Sequence, residues 1–466
     1  MKIGLVGPSY EQRSLPFDAQ RTINLFPVFD QQGKEVAALY GTPGLLLFAT
    51  AGTGPIRGEF SSSNGRAFAV SGNTLYELDE NGDETSRGTL LTDSGNITID
   101  ENPTQLIICD GEDGYIFTYA DNTLVQITDT DFPSAGTVTY IDSYFIVNRN
   151  DSGRFYISSV NNGTGWAALD FANAESSPDE LRRVLRALGQ LWLFGAKTTE
   201  IWTNTGDASF PFQKISGAVL EKGIMAPHTA VSFGGSVFWV GQDNDGNGVV
   251  YRAKGFSPQA VSTEAISLAI GRATDKENMR AYTYQQDGHE YYVLTGGGLE
   301  TTLVLDITTD LWHEKAWLNV HGEFEQHLAS CCMFAFGKIL VGSRRSGDIF
   351  QLDMETYSDN GGAIARERIY THVSNEGERT RYNSLEIGFE TGVGLQSGQG
   401  SDPVCTLSIS KDGGRTWGTE YTAFIGRVGE YLKKVRFRRL GIAEQLTFKL
   451  RITDPVKVAI TGSYLK

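Results

Sequence analysis

Eight residues near the C-terminal end of the 466-residue chain, Ser410 to Trp417, combine a carboxylate with hydroxyl groups at fixed spacing. Their sequence, SKDGGRTW, has the pattern Ser-x-Asp-x-Gly-x-Thr-Trp. A carboxylate held beside hydroxyl groups could serve glycoside hydrolysis, but that reaction needs a positioned pair of carboxylates. The spacing of acidic residues in the sequence identifies no partner for Asp412, so a structural role has to be weighed against a chemical one.

The same pattern resembles the Asp box of sialidases and other β-propeller glycosidases. In that motif the Asp and Ser side chains bond the backbone of a turn between two strands, and the Gly permits a positive φ. Glycosidase propellers carry several copies, whereas this sequence has one, outside the repeats described below. We therefore predict a structural Asp box of Ser410, Asp412, Gly414, Thr416 and Trp417 that pins a hairpin and does no chemistry.

A second acidic stretch, DNDGNG, resembles the first half of an EF-hand calcium loop through Asp243, Asp245 and Asn247. The twelfth position of such a loop supplies a bidentate Glu, and here that position is Lys254. The stretch also lies between two strand-like runs, so a hairpin turn is favoured over a calcium site. The six histidines show no paired ligand spacing, and there is no nucleophile elbow or Walker loop. The sequence therefore predicts no catalytic residue, no cofactor and no enzyme.

The elements that must position these residues are short strands joined by glycine turns. Seven runs each consist of an apolar or aromatic stretch, a polar turn and a second such stretch, which is the pattern of a hairpin. The turns fall near Gly72, Gly111, Gly153, Gly195, Gly246, Gly297 and Gly347, which are 39 to 51 residues apart. Because one hairpin every 40 to 50 residues or so is typical of propeller blades, we predict a β-propeller of six or seven blades.

The chain divides into three parts in this interpretation. Residues 1–50 lack the blade pattern and are expected to pack on the C-terminal domain or to close the propeller, which spans residues 51–375. Residues 376–466 alternate strongly in polarity, as expected of an antiparallel β-sandwich, so the predicted fold class is all-β. The stretch SSPDELRRVLRALG has helix signals at Ser177 and Pro178, but a loop leading into a blade strand is an equally good interpretation.

Charge is distributed unevenly along the chain. The net charge of −16 disfavours general nucleic-acid binding, because Lys and Arg must displace the counterions of phosphates. Residues 427–457, however, contain nine basic and three acidic side chains. Such a region could dock against an acidic neighbour, although a solvated strand face explains it equally well. The candidate docking residues are Lys433, Lys434, Arg436, Arg438 and Arg439.

Cysteine content and hydropathy indicate where the protein works. Four cysteines in a chain of this length make no disulfide framework. No apolar stretch approaches the roughly 20 residues needed to span a bilayer. We therefore expect a soluble protein, made in a reducing cytoplasm, with no membrane anchor.

The succession of segments resembles one known family more closely than any single motif does. It includes RTINLFPV (21–28), LYGTPGL (39–45), ITDTDFPSAGTVTYIDSYFIV (127–147), LWLFGAKTTEIWTNTGDASFPFQ (191–213) and VFWVGQDNDGNGVVYRAKGFSPQAVST (237–263). This succession of segments is similar to that of the packaged-DNA stabilisation, or tail-hub (nozzle), proteins of short-tailed bacteriophages. The similarity covers about residues 20 to 315 closely and the C-terminal domain more loosely.

The resemblance implies a structural virion protein made in the host cytoplasm. Six copies would form a ring below the portal and its adaptor ring, extend the DNA channel and seal packaged DNA in the head. The implied partners are the portal-adaptor ring, a tail needle or plug, a tailspike or fibre, and further copies of the chain, with DNA only passing through the channel. Two alternatives stay open: a propeller glycosidase or capsule depolymerase, and a stand-alone carbohydrate- or protein-binding propeller.

Overall fold

The structure is a computed structural model that describes residues 2–15, 18–29, 37–174, 177–243, 245–370 and 372–466. The N-terminal segment contributes six short strands, and these pair with strands from distant parts of the chain rather than with one another alone. They are β1 (Lys2–Ile3), β2 (Tyr10–Glu11), β3 (Ala19–Ile23), β4 (Leu25–Phe29), β5 (Ala37–Gly41) and β6 (Gly44–Thr50).

Seven four-stranded antiparallel blades follow and form a propeller; five are separate sheets, and the last two are parts of a twelve-stranded and a six-stranded sheet. Blade 1 is β7 (Ile56–Ser61), β8 (Ala67–Ser71), β9 (Thr74–Leu78) and β10 (Glu84–Thr89). Blade 2 is β11 (Thr98–Glu101), β12 (Gln105–Cys109), β13 (Gly114–Thr118) and β14 (Thr123–Gln126). Blade 3 is β15 (Ala135–Ile141), β16 (Tyr144–Arg149), β17 (Arg154–Ser159) and β18 (Asn162–Asn173). Blade 4 is β19 (Leu181–Ala187), β20 (Gln190–Gly195), β21 (Thr199–Asn204) and β22 (Phe212–Leu220).

A helix interrupts the succession of blades once. Blade 5 is β23 (Val231–Phe233), β24 (Ser236–Gln242), β25 (Gly248–Lys254) and β26 (Ser257–Ala260). The helix α1 (Glu264–Arg272) and a 3-10 turn (Lys276–Asn278) precede blade 6, which is β27 (Met279–Gln286), β28 (His289–Gly296), β29 (Thr302–Asp306) and β30 (Leu311–Leu318). The short β31 (Phe324–Gln326) pairs with β30. Blade 7 is β32 (Ala329–Ala335), β33 (Lys338–Ser343) and β34 (Asp348–Asp353), completed by β6.

The first strands of successive blades contact one another around a closed ring, so they surround the propeller axis. The ring closes because β6 pairs with β34, which joins residues 44–50 to the last blade. Apolar side chains fill the spaces between blades, for example the fully buried Trp192 and Trp239 between blades 4 and 5. Each of the seven predicted turn glycines lies at the turn between the second and third strand of a blade. The predicted propeller is therefore confirmed, and the number of blades is seven.

Two short strands, β35 (Ser358–Asp359) and β36 (Gly362–Ala363), extend the sheet of blade 7 beside β6. The strands after them build a sandwich. They are β37 (Arg366–Ile369), β38 (Val373–Ser374), β39 (Thr380–Phe389), β40 (Val404–Ser410), β41 (Tyr421–Phe424), β42 (Val435–Ala443), β43 (Gln445–Ile452) and β44 (Ala459–Leu465). One sheet has the order β4-β5-β44-β39-β42, and the other contains β3-β37-β43-β40-β41. Their inner faces enclose one apolar core, which includes the fully buried Leu385, Leu407 and Phe448. The predicted sandwich is thus confirmed, and β37 belongs to it although we expected residues up to 375 to lie in the propeller.

A single sheet runs through both domains. Strand β3 pairs in parallel with β30 of blade 6 on one side and antiparallel with β37 of the sandwich on the other. The result is a twelve-stranded sheet that begins in blade 6 and ends in the sandwich. Because backbone hydrogen bonds cross the domain boundary, the two domains are joined by a continuous ladder as well as by the covalent chain.

No helix forms at the stretch that carries helix signals in the sequence. The stretch with Ser177 and Pro178 leads into β19, a strand, so of our two interpretations the loop before a blade strand is correct. The one α-helix in the described residues is α1, which Thr263 caps by accepting from the Ile266 amide. Its buried Ile266 and Ile270 pack in the core between blades 5 and 6. Within the described ranges, no helix is both long enough and apolar enough to cross a bilayer.

Candidate docking surface

The predicted Asp box forms the turn between β40 and β41. The Asp412 carboxylate accepts from the Ser410 hydroxyl at 2.6 Å, from the amides of Arg415 and Thr416 at 3.1 and 2.9 Å, and from the Thr416 hydroxyl at 2.6 Å. The Gly414 amide donates to the Ser410 hydroxyl at 2.8 Å, and Gly414 has a φ of +92°. The hydrogen bonds from Ser410 and Thr416 hold the pKa of Asp412 well below its usual range. All of these bonds close the turn on itself, which makes Asp412 a poor proton donor.

Replacing Asp412 with alanine should loosen this turn. The substitution removes the acceptor of the Arg415 and Thr416 amides. It also removes the partner of the Ser410 hydroxyl, which accepts from the Gly414 amide. We therefore expect hydrogen exchange of these three amides to accelerate by roughly tenfold or more. Exchange measured by mass spectrometry on the β40–β41 peptide checks this. The matched control is Glu420→Ala, an exposed acid in the same hairpin. Equal exchange in the two variants would show that the Asp box does not pin the hairpin.

The stretch that resembles a calcium loop is also a closed turn, between β24 and β25. Asp243 accepts from the amides of Asp245 and Asn247 at 2.9 and 2.7 Å and from the Asn247 side chain at 2.9 Å. Its oxygens thus face N–H donors of its own turn, which repel a cation. In the part of the chain that the structure describes, no group of three or more His, Cys, Asp or Glu side chains is gathered as metal ligands.

The predicted docking residues lie at an edge of the sandwich. Among the described strands, β42 pairs with β39 alone, so no described strand lies along its other side. Lys433, Lys434, Arg438 and Arg439 are exposed, and a register shift opposite β39 places two consecutive arginines on the surface. Arg436 is half-buried and donates from Nε to Glu386 at 3.0 Å, so it is partly neutralised within the chain. We call these five residues the basic edge.

An apolar surface that sequence patterns did not predict lies beside the basic edge. Leu432 is 94% exposed, Tyr431 72% and Val428 45%, and all three lie in the loop that leads into β42. We call these three residues the apolar loop. Exposed aliphatic and aromatic side chains next to positive charges are typical of protein-interaction sites, because they supply apolar area that charged groups then orient. The only signal in the sequence is that the alternation of polar and apolar residues is interrupted at EYLKK. This interruption is too short to predict exposure.

A buried ion pair holds the N-terminal segment against blade 6. Arg21 in β3 donates to both carboxylate oxygens of Glu314 in β30, at 3.1 and 2.5 Å. Ser9 and Thr301 donate their hydroxyls to the same carboxylate at 2.8 and 2.7 Å. Although burial opposes its ionisation, Arg21 and these hydroxyls keep the pKa of Glu314 below its ordinary value. The carboxylate is therefore charged at neutral pH and fixes the point where the shared sheet passes from propeller to sandwich.

Two family models account for nearly the whole chain. One, described as bacteriophage P22 Gp10, beta-propeller, matches residues 1–357, and the other, described as bacteriophage P22 Gp10, beta-sandwich, matches residues 365–466. The fold and these matches together define a structural protein of the phage virion. More particularly, the chain belongs to the bacteriophage P22 Gp10 family and is a head- and tail-stabilising, tail-hub protein that associates with other virion components. The predicted family and the predicted location in the virion are thereby confirmed.

Other comparisons are more distant. No curated protein matches the chain. Among solved structures, virginiamycin B lyase from Staphylococcus aureus is 10% identical with a TM-score of 0.42, over 64% of this chain and 94% of the lyase. PorZ, a surface component of the type-IX secretion system of Porphyromonas gingivalis, is 12% identical with a TM-score of 0.37, over 82% of this chain and 46% of PorZ.

Proposed function

We propose that six copies of this chain form a nozzle ring below the portal-adaptor complex, where they seal packaged DNA in the head and extend the ejection channel. The observation that carries the proposal is the twelve-stranded sheet shared by the two domains. A ring that resists the pressure of packaged DNA has to keep its partner surfaces at fixed positions. A hydrogen-bonded sheet through β3 supports this, because the propeller cannot rotate against the sandwich without breaking the ladder.

In this proposal the parts of the chain have separate tasks. The propeller is the body of the protein, the sandwich is a platform for neighbouring proteins, and the N-terminal strands fasten the two. The net charge of −16 favours a wall that repels the phosphates of DNA in transit, so DNA passes through without being gripped. Cryo-electron microscopy of an assembled tail tests the arrangement: the proposal requires this chain in a six-fold collar between the adaptor ring and the needle or plug, with tailspikes or fibres at its sides.

The basic edge and the apolar loop together form the proposed docking surface of the platform. Leu432 and Tyr431 would fill pockets of the partner, while Lys433, Lys434 and Arg438 would steer and orient it by charge. The open side of β42 could in addition accept a strand from the partner. We propose that the partner is acidic and is either the adaptor ring or a neighbouring copy of the same chain.

Reversing three charges of the basic edge should impair assembly of the tail. We expect Lys433→Glu, Lys434→Glu and Arg438→Glu, combined, to reduce incorporation into tails by roughly tenfold or more, because like charges placed opposite each other cost several kcal/mol. Incorporation is measured by complementing phage that lack the protein and counting intact particles. The triple variant leaves the pair between Arg436 and Glu386 in place, so the sheet itself is preserved.

The control for this experiment carries the same change in charge on the propeller. It combines Arg149→Glu, Lys197→Glu and Lys254→Glu, three exposed positions on blades 3, 4 and 5. The control should assemble normally. Normal assembly of the basic-edge variant would exclude this docking surface, and equal failure of both variants would attribute the loss to net charge alone.

We further propose that the chain is not an enzyme. The support is the Asp box, whose carboxylate is held ionised by its own turn, and the membership in a family of structural phage proteins. Incubation of the purified protein with sialosides and bacterial surface glycans tests this. Release of any sugar, lost on replacement of a single carboxylate, would establish a glycosidase or depolymerase instead.

A further inference from the structure

A cavity of about 340 Å³ lies at one end of the propeller axis, where the first strands of blades 1, 6 and 7 begin. Three arginines line it: Arg57 in β7, Arg280 in β27 and Arg344 directly after β33. Within the described chain, its lining contains no Asp or Glu. We call this cavity the arginine pocket. Three guanidinium groups around one cavity are unexpected in a chain with a net charge of −16.

The three positive charges are not neutralised by ion pairs. Among the residues that the structure describes, no carboxylate oxygen lies within 4.0 Å of the three guanidinium groups. Glu59 faces Arg280, but burial raises the pKa of Glu59 to about 8, so this side chain is protonated and neutral at pH 7. Asp110 and Asp93 act on Arg57, and Glu325 acts on Arg344, only from longer range. The pocket therefore carries an uncompensated positive charge.

Part of the hydrogen-bonding capacity of the arginines is already used to build the pocket. Arg57 donates to backbone carbonyls around it, including that of Gly95 at 3.0 Å. Arg280 donates from Nε and Nη2 to the Asn96 side chain across the axis, at 2.9 and 2.6 Å, and Arg344 donates from Nη1 to Gln326. In the described residues this leaves Nη1 of Arg280 and Nε and Nη2 of Arg344 available to a ligand. Two fixed guanidinium planes with free N–H groups match the geometry of an oxyanion.

Besides burial, the mutual repulsion of the arginines lowers the pKa values of Arg57 and Arg344. Burial lowers the pKa of Arg57, and the charge of Arg280 lowers it further. Burial also lowers the pKa of Arg344, with additional contributions from Arg345 and Arg280. All three remain charged at neutral pH, because the guanidinium group keeps its proton under these conditions. An anion between them would replace this repulsion by attraction.

We propose that the arginine pocket binds phosphate, either as the free ion or as the terminal phosphomonoester of a small molecule. The cavity is large enough for one such group with surrounding water, and it lies off the two turns and the docking surface described above. The site does not depend on the tail-hub role, so its failure would leave that role untouched. Phosphate is favoured over a carboxylate because its three terminal oxygens can accept from two guanidinium groups at once.

Isothermal titration calorimetry with inorganic phosphate tests the site, in a chloride buffer of matched ionic strength. We expect one phosphate per chain for the wild type and an affinity at least about tenfold weaker for Arg344→Gln, since a hydrogen bond to a charged group contributes about one factor of ten or more. The matched control is Arg345→Gln, because Arg345 is the exposed neighbour whose side chain stacks on Trp317 instead of lining the cavity. This control should bind phosphate as the wild type does.

The source of the phosphate group is distinguished by a second titration with glycerol 3-phosphate. Tighter binding of this ester identifies a phosphomonoester ligand, and tighter binding of inorganic phosphate identifies the free ion. Absence of saturable binding to the wild type at millimolar concentrations of both would overturn the proposal, as would an equal loss of affinity in the two arginine variants. If Arg344→Gln fails to fold, Arg344→Lys keeps the charge but not the planar fork, and unchanged phosphate affinity in that variant would likewise contradict the assigned geometry.

Discussion

Replacing Arg368 with leucine is expected to lower the free energy of unfolding by about 3 kcal/mol or more, because it leaves several buried acceptors without a donor. Arg368 in β37 is 1% exposed. Its guanidinium donates to the carbonyls of Leu5 and Pro8 at 2.8 and 3.1 Å, to the Thr22 hydroxyl at 2.8 Å and to the Gln20 side chain at 2.6 Å. One side chain of the sandwich thus organises the N-terminal segment, and leucine could fill its volume but satisfy none of these groups.

The loss of stability in Arg368→Leu should be visible in two measurements. Denaturant titration reports the free energy of unfolding, and limited proteolysis should cut the N-terminal segment of the variant long before the blades, since that segment loses its anchor. The control is Arg438→Leu, an exposed arginine of the same domain, which should change stability by less than about 0.5 kcal/mol. Equal stability of the two variants would mean that water satisfies the orphaned acceptors and that the N-terminal segment is held by its strands alone.

The blades could be predicted because their central hairpins are local. Gly72 and the six glycines that follow it each mark a turn between strands that are adjacent in the sequence, so a pattern of apolar run, turn and apolar run is visible directly. The sequence predicts six or seven blades without deciding between these numbers. The reason is that the last blade is completed from residues 44–50, about 300 residues before β34. In the structure β6 pairs with β34 of the last blade, while β4 and β5 pair within a sheet of the sandwich.

Long-range pairing explains what could not be predicted. Strand β3 is five residues long and pairs with strands about 290 and 350 residues further along the chain. Such a short strand has no sequence pattern from which its pairing partners could be identified. The arginine pocket is similar, since Arg57, Arg280 and Arg344 meet only when the ring closes. The stretch before β19 gave a helix signal because Ser, Pro and acids at its start mimic a cap, yet the pairing of β19 in blade 4 overrides that local preference.

Glu59 should make the protein less stable as the pH rises from about 4.5 to about 8, and Glu59→Gln should remove that dependence. The residue lies in β7, and its carboxyl group faces blades 6 and 7; the facing groups are Arg280, Tyr282, Gly342, Cys331 and Cys332. Burial raises its pKa to about 8, above the value of 4.5 expected in the unfolded chain. Between these values the folded protein holds a proton that the unfolded chain has released, so raising the pH favours unfolding.

The amide of glutamine has the shape of the protonated acid and does not titrate. We therefore expect Glu59→Gln to match the wild type near pH 4 and to exceed its free energy of unfolding by about 4 kcal/mol near pH 8, since one pKa unit corresponds to about 1.4 kcal/mol. Denaturant titrations of both proteins across this range give the difference directly.

The control variant, Glu101→Gln, lies on the first strand of the neighbouring blade and should behave in the opposite way. Burial opposes the ionisation of Glu101, but hydrogen bonds from Ser62 and Tyr119 hold its pKa below the ordinary value. Its folded-state pKa is therefore depressed, and its contribution to stability is present above pH 4.5 and lost as the pH falls through the folded value. Glu101→Gln should accordingly be the less stable protein at neutral pH and should approach the wild type in acid. A pH-independent difference for Glu59→Gln would show that its carboxyl group is ionised in the folded propeller, and the positive charge of Arg280 beside it would then be compensated.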